Sequence, residues 1–338
     1  MVCLDVFKRA IDDGAMPGAT ISIYHRGEKR LDAALGTLDY SRPATTETIY
    51  DLASLTKPMA TGASVLTLVE QGRLTLTATL PEFFGSAADH HQDITIKHLL
   101  THTSGIPAWI PCYENGLGHD AAIDAILKLP TVPVGTKYEY SCLNFILLHK
   151  IVEMVSNQSL NVFAHEHIFA PLGMKDTMFL PDERFHHRIA PTMTQEGPRR
   201  DQTLIGIVHD GNACGIGGVS GNAGLFGTAA DVATYGEALR TGKIFGSPTR
   251  ARIFENQVNS GIGAHTFLFF AMGNGYCPSG DLLSPHTVGH SGYTGTLLTI
   301  DPEHSLVVAL LTNAVYGDGK ASFLTYRRKF LNALAAEI

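Results

Sequence analysis

Three short segments carry residue types that can do nucleophilic chemistry. Ser54-Leu55-Thr56-Lys57 sets a hydroxyl and an amine three residues apart, Tyr140-Ser141-Cys142 adds a phenol mid-chain, and His290-Ser291-Gly292 adds an imidazole and a glycine. A serine hydroxyl is a poor nucleophile at neutral pH and needs a neighbouring base. Residues at i and i+3 share a helix face, so Lys57 reaches Ser54 if 54–57 open a helix. Lys57 can be that base only with a lowered pKa, which burial and a nearby cation would bring about. Tyr140, held beside Lys57, would share the Ser54 proton and pass it to a leaving group. Gly292 lets backbone approach a substrate closely. The N–H groups of Ser54 and Tyr293 would then form an oxyanion hole, with His290 polarising or orienting the substrate or Tyr140. The combined chemistry is acyl transfer through a serine ester.

Each segment also has a plainer reading. Ser-x-x-Lys arises by chance about once in a chain of this size, as a capping serine with a solvated lysine. A tyrosine before an apolar helix is ordinarily a packed aromatic, and a lone histidine is ordinarily structural. The order and combination carry the argument, not any one motif.

The elements that must position these residues follow from apolar spacing. Residues 4–13 read as an amphipathic helix ended by Gly14 and Pro17, 18–24 as a strand, 25–28 as a turn and 29–36 as a second strand. A helix is expected over 58–71, closed by Gly72, with others over 143–155 and 159–170. The stretch 181–222 reads as loop, and 231–239 as a helix capped by Thr228 or Asp231. Strands over 295–300 and 306–311 flank the turn Asp301-Pro302-Glu303-His304, and a last helix covers about 320–335. Strands at both ends around a helical middle suggest residues 1–75 and 216–338 as a sheet domain, with a mainly helical domain of 76–215 inserted.

Composition narrows the function. The chain has 338 residues, 44% hydrophobic and 17% charged, with net charge −7 and no long basic run. That disfavours nucleic acid and anionic membrane surfaces as partners. No apolar run reaches the roughly 18 residues of a membrane span. The first residues lack a basic segment followed by an apolar one, so a cytoplasmic location is the expectation. The five cysteines form no CxxC pair, and free thiols fit a reducing compartment.

Taken together, the three motifs resemble those of the serine β-lactamase and penicillin-binding-protein superfamily. The likeness is greatest to the class C β-lactamase branch, with its D-amino acid peptidases and family VIII carboxylesterases. Ser54-x-x-Lys57 matches the first motif, Tyr140-Ser141 the start of Tyr-x-Asn, and His290-Ser291-Gly292 the His-x-Gly form of the third. The segments 48–53, 98–107, 222–231 and 289–295 are similar too, so the resemblance runs from about 15 to 315. It implies an α+β fold: an antiparallel β-sheet flanked by helices, of β-lactamase/transpeptidase type, with an inserted all-helical domain. It also implies Ser54, Lys57, Tyr140 and His290 as catalytic residues, with Cys142, Ser291 and Gly292 toward the substrate. No cofactor and no metal is implied.

Two departures bear on substrate. Cys142 stands where the family has Asn, and a thiol does not replace both donor and acceptor of a carboxamide. His290 stands where the family's β-lactamases have lysine, which removes a permanent cation. Cys142 itself reads as a buried structural thiol. Both changes favour a carboxylesterase. The alternatives are a β-lactamase or D-amino acid peptidase, and a non-catalytic sensor or assembly module on the same fold. The partner is then a small ester, β-lactam or D-amino acid amide.

Other chemistries fit less well. An α/β-hydrolase with Ser291 as nucleophile would use Gly289-His290-Ser291-Gly292-Tyr293, but this lacks the last glycine of G-x-S-x-G, and the chain lacks the β-α alternation of that fold. Among sixteen histidines, His98-x-x-x-His102 has zinc-ligand spacing, but Leu99 stands where the zinc motif requires Glu. His98 and His102 are therefore read as structural, and His90-His91 and His186-His187 as exposed loop pairs. The loops 107–120 and 260–285 would shape the pocket, with Trp109 and Tyr113 at its entrance or packed on the surface.

Overall fold

The computed structural model describes residues 2–115, 118–194, 197–259, 261–317 and 320–338. The strands used below are β1 (Gly18–His25), β2 (Glu28–Gly36), β3 (Tyr50–Asp51), β4 (Met178–Phe179), β5 (Leu225–Gly227), β6 (Phe270–Ala271), β7 (Val288–Ser291), β8 (Leu297–Asp301) and β9 (Leu306–Thr312). The helices used below are α1 (Val2–Asp12), α2 (Ala63–Glu70), α3 (His119–Leu127), α4 (Cys142–Ser156), α5 (Ala229–Thr241) and α6 (Lys320–Ala335).

An antiparallel sheet of order β2-β1-β9-β8-β7-β6 joins the two ends of the chain. Its centre is the pairing of β1 with β9, from Ala19 opposite Thr312 to His25 opposite Leu306. All seven residues of β9 are buried, because helices cover both faces. Leu306, Val308 and Leu310 face a core shared with Phe7 of α1 and Phe330 of α6, whose rings lie 4.5 Å apart. Val307, Ala309 and Leu311 face the larger core on the α5 side. The period of two thus divides one continuous apolar run between two cores.

α4 is apolar on nearly every side, with Leu143, Phe145, Ile146, Leu147, Leu148, Ile151 and Val152 all buried. A helix of that pattern is expected at the middle of a helical layer. It ends at Asn157 in the left-handed conformation. The middle of the chain also contributes β4, which pairs with β5, and a two-stranded ribbon of 192–193 with 203–204. β5 pairs on its other side with β3, so this small sheet carries the chain into Ser54.

The expected helices and the end strands are present, with informative shifts. Within 181–222, read as loop, Gly211–Ile216 forms a helix, because Asp210 caps it by accepting from the Ala213 N–H at 2.8 Å. α5 takes Thr228, not Asp231, as its cap. His290 and Ser291 lie on a strand, β7, and the next strand begins only at Leu297. His91, expected in an exposed pair, is buried and bonds the Leu127 carbonyl at 3.0 Å.

α5 approaches the sheet closely at Gly236, where an added Cβ would lie 2.6 Å from Val307 Cγ1 and 2.8 Å from Leu298 Cδ1. Gly236→Val is expected to destabilise the fold by about 1–3 kcal/mol, because overpacking outweighs the better helix propensity. A lowered urea midpoint with an unchanged m-value would register this.

Candidate active site

Ser54 follows β3 in a 3₁₀ turn, Ala53–Leu55, which runs through the wide turn Lys57–Gly62 into α2. The turn is forced. Ala53 has φ 47°, in the region that ordinarily favours glycine. Its N–H donates to Asp51 Oδ1 at 2.8 Å, and Asp51 Oδ2 accepts from the His209 N–H at 2.7 Å. Burial without a counter-ion raises the Asp51 carboxyl to about 6. The Thr56 hydroxyl donates to the Ala53 carbonyl at 2.7 Å and accepts from the Leu225 N–H at 3.1 Å, which locks the turn to β5. Strain of this kind persists only where surrounding structure over-determines it.

Lys57 is wholly buried, and Ser54 is half-buried. The Lys57 ammonium donates to Ser54 Oγ at 3.0 Å, to the Asn222 carbonyl at 2.9 Å and to Cys142 Sγ at 3.4 Å. Three donors thus meet three acceptors. The expectation that burial would lower this lysine is overturned. Desolvation opposes its charge, but the acceptors around the ammonium, with Cys142 and Tyr140 beside it, favour the protonated form and move it upward. Burial pushes the Tyr140 phenol and the Cys142 thiol up, and the Lys57 charge only partly counters that. The resting site is an ammonium among neutral acids, and Cys142 is a thiol.

Tyr140 couples to both Ser54 and Lys57, and the ammonium lies 5.1 Å from the centre of its ring. The segment 101–108 cradles the chain around Tyr140. His102 Nδ1 accepts from the Ser141 N–H at 3.0 Å, the Ser141 hydroxyl donates to Pro107 O at 2.7 Å, and the Cys142 N–H donates to Ala108 O at 2.9 Å. His98 caps its own helix through Thr95. Both histidines of the His98-x-x-x-His102 pair are therefore structural, and His102 positions Tyr140.

His290 is buried and stacked on Phe270, with ring centroids 4.6 Å apart and Tyr140 at 5.8 Å. Its Nδ1–H donates to the Ser291 carbonyl at 3.0 Å, which leaves Nε2 as an acceptor without a protein partner. Burial first, then the Lys57 charge, drives it well below the ordinary histidine range, so the ring is neutral. His102 and His265 are buried and depressed likewise, their rings 4.9 Å apart.

Gly292 brings the end of β7 against the Ser54 turn: a side chain there would collide with the Thr296 hydroxyl and the Leu52 carbonyl. Thr294 and Thr296 donate to the carbonyls of Asp51 and Leu52 at 2.7 and 3.0 Å. These bonds fasten the 292–296 turn to the backbone that leads into Ser54. The Tyr293 ring is 64% exposed and lies 5.6 Å from the ring of His209, at the rim. Trp109 is exposed with its ring edge-on to Tyr113, at 6.4 Å. Asp51, Asn222, His265 and Phe270 went unassigned in the motif reading. Asp51 and Asn222 lie in segments that resembled the family, while His265 and Phe270 act through ring packing that no motif displays.

The buried histidines make a pH dependence. His265 is held down to about 4 by burial, against the ordinary histidine value of about 6.5 in an unfolded chain. Between those values the unfolded chain binds more protons, so stability falls as pH falls, by about 3 kcal/mol for this residue alone. His102 and His290 add to the loss, and Asp51, raised to about 6, opposes it. The urea midpoint is expected to drop between pH 7 and pH ~4.5. A flat profile would refute the neutral assignment.

The profile of the β-lactamase family matches residues 5–333. The chain is 33% identical over 304 residues to an Escherichia coli (strain K12) protein described as "Putative D-alanyl-D-alanine carboxypeptidase", covering 80% of this chain and 70% of that one. It is 32% identical over 342 residues to an N-acetylmuramyl-L-alanine amidase of Bacillus subtilis (strain 168), covering 88% and 77%. Among solved structures it is similar to EstCE1, a hydrolase with promiscuous acyltransferase activity, at TM-score 0.80 and 22% identity over 97% of both chains. Among the described residues no helix is long and apolar enough to cross a membrane. The three motifs, the fold that gathers them and a profile match over nearly the whole length agree: the chain belongs to the β-lactamase family of serine hydrolases.

Proposed function

We propose that this protein is a carboxylesterase that forms an acyl-enzyme on Ser54. The observation that carries this reading is the Lys57 ammonium held 3.0 Å from Ser54 Oγ, with the Cys142 thiol where a carboxamide would otherwise face the substrate. In the reactive form Lys57 and Tyr140 together have lost one proton, and that proton belongs to the pair. Ser54 Oγ attacks the ester carbonyl and its proton passes to the pair. The N–H groups of Ser54 and Tyr293 take the oxyanion. The tetrahedral intermediate collapses with the C–O bond to the alcohol breaking, and Tyr140 returns the proton to the departing alkoxide. Water, deprotonated by the same pair, then releases the acid and frees Ser54. Neutral His290 offers an acceptor, not a cation, so no permanent charge on it draws a substrate carboxylate.

The relatives support a second reading, a peptidase or amidase of cell-wall type, because the carboxypeptidase and amidase matches each cover more than two thirds of both chains. The Cys142 thiol weighs against it, since neither a D-amino acid amide nor a β-lactam side chain finds both a donor and an acceptor there.

Steady-state hydrolysis of p-nitrophenyl butyrate and nitrocefin separates the readings. Ester turnover is expected to dominate and to vanish in Ser54→Ala. Tyr140→Phe is expected to lose roughly 10²-fold or more, and equal rates would remove its proton-transfer role. Cys142→Asn is expected to raise kcat/KM for nitrocefin about fivefold, the worth of roughly 1 kcal/mol of restored hydrogen bonding. Ester activity surviving in Ser54→Ala would overturn the assignment.

A further inference from the structure

Away from Ser54, α3 and α4 meet at a group of residues that the hydrolase chemistry does not use. His119 opens α3, and His149 and Glu153 lie one turn apart on α4. Their ligand-type atoms all lie within 4.8 Å of one another. His149 Nε2 is 3.1 Å from Glu153 Oε1, and His119 Nδ1 is 3.9 Å from Glu153 Oε2. The two imidazoles stack with centroids 4.1 Å apart. Donors around a tetrahedral zinc ion lie about 3.3 Å from each other, given bonds of about 2.0–2.1 Å. Two of the three separations already bracket that value.

The hydrogen bonds fix which nitrogen faces the group. His119 Nε2 lies 3.2 Å from the Ile146 carbonyl, which only accepts, so Nε2 carries the hydrogen. The lone pair of neutral His119 is then on Nδ1, and it points toward a carboxylate. Two acceptors facing each other repel unless a cation lies between them. A backbone carbonyl behind a metal-ligating imidazole is the usual outer support, fixing tautomer and ring plane. His149 is nearly fully buried, and its Nδ1 has no protein partner.

From this geometry we infer a zinc-type divalent cation site formed by His119 Nδ1, His149 Nε2 and the Glu153 carboxylate. Two imidazoles and one carboxylate suit zinc or cobalt(II) better than calcium or magnesium, which prefer all-oxygen shells. A fourth position opens on a cleft of about 400 Å³, where water can complete the shell. Lys150 at the rim is paired with Asp120 at 2.9 Å, which offsets its charge.

The site acts as a staple and takes no part in hydrolysis. It ties α3 to α4, and α4 begins at Cys142. On the inner side, His149 packs on Gly221, where an added Cβ would be 2.9 Å from its own Cβ. The next residue, Asn222, gives its carbonyl to Lys57. Occupancy therefore braces the wall behind the buried lysine. The residues come from positions thirty apart, and only the His-x-x-x-Glu half on α4 shows as a pattern in sequence.

Titration of chelator-treated full-length protein with zinc chloride tests the site, followed by calorimetry and thermal unfolding. One equivalent is expected to bind and to raise Tm. Cobalt(II) is expected to give the intense visible absorption of a tetrahedral site. His119→Gln and Glu153→Gln should each lose roughly a hundredfold in affinity, while His187→Gln, at an exposed position, should lose nothing. Wild-type protein that binds no stoichiometric zinc, or variants that bind it undiminished, would overturn the site. Wild-type titration and the cobalt spectrum decide the matter even if one variant fails to fold. Ester turnover by Ser54 stands or falls separately, since none of the three residues touches it.

Discussion

A buried ammonium organises this molecule. Taking a charged lysine out of water costs several kcal/mol unless every proton finds an acceptor. Lys57 meets that condition by drawing three separate parts of the chain to one point: the Ser54 hydroxyl, the Cys142 thiol and the Asn222 carbonyl. Each acceptor needs its own support. Ser54 requires the forced Ala53 backbone and the Asp51 carboxylate, Cys142 requires the cradle of 101–108, and Asn222 requires α4 packed behind it. The two cores and the sheet hold these supports in register. Removal of any one leaves an ammonium short of an acceptor, so the geometry is kept or lost as a unit.

The electrostatic surroundings sharpen this dependence. His102, His265 and His290 are all buried and all are neutral, through burial first and, for His102 and His290, through His265 and the Lys57 charge as well. The cavity is lined with dipoles and aromatic faces. Such surroundings do not reorganise when charge moves during reaction, which is the condition under which hydrogen bonds to a developing oxyanion are worth most. Asp51 completes the pattern from the other side: an anion placed where it orders backbone N–H groups, not where it neutralises the lysine.

Much of this was legible before any coordinates. Ser54 and Lys57 could be paired because a helical turn converts a spacing of three into a contact, and the sheet could be anticipated from the uninterrupted β-branched and aliphatic runs at both ends. The remainder was hidden for identifiable reasons. The protonation tendency of Lys57 depends on Cys142, eighty-five residues away, and not on burial alone. His102 was read as structural, as it is, but its partner, the Ser141 N–H, is a backbone group with no signature. The Gly211–Ile216 helix escaped because its glycines argue for a loop, while one aspartate cap and tertiary contacts decide otherwise. The family match covers nearly the whole chain and is common to several substrate classes, so it does not itself choose a substrate.

The pairing of β1 with β9 has a further consequence for how the protein is made. A ribosome releases Gly18–His25 early, yet its partner on one side is Leu306–Thr312, nearly three hundred residues later. During that interval β1 has only β2 beside it, and the edge destined for β9 displays unpaired backbone groups and buried-type side chains such as Ile21 and Ile23. Two strands alone are marginal in water, and long-range closure of this kind is slow. The helical middle can collapse first, while the sheet waits for the last segment of the chain. The vulnerable species during biosynthesis is therefore a nascent chain with a formed helical layer and an open strand edge, the kind of surface that chaperones cover and that otherwise recruits a second copy.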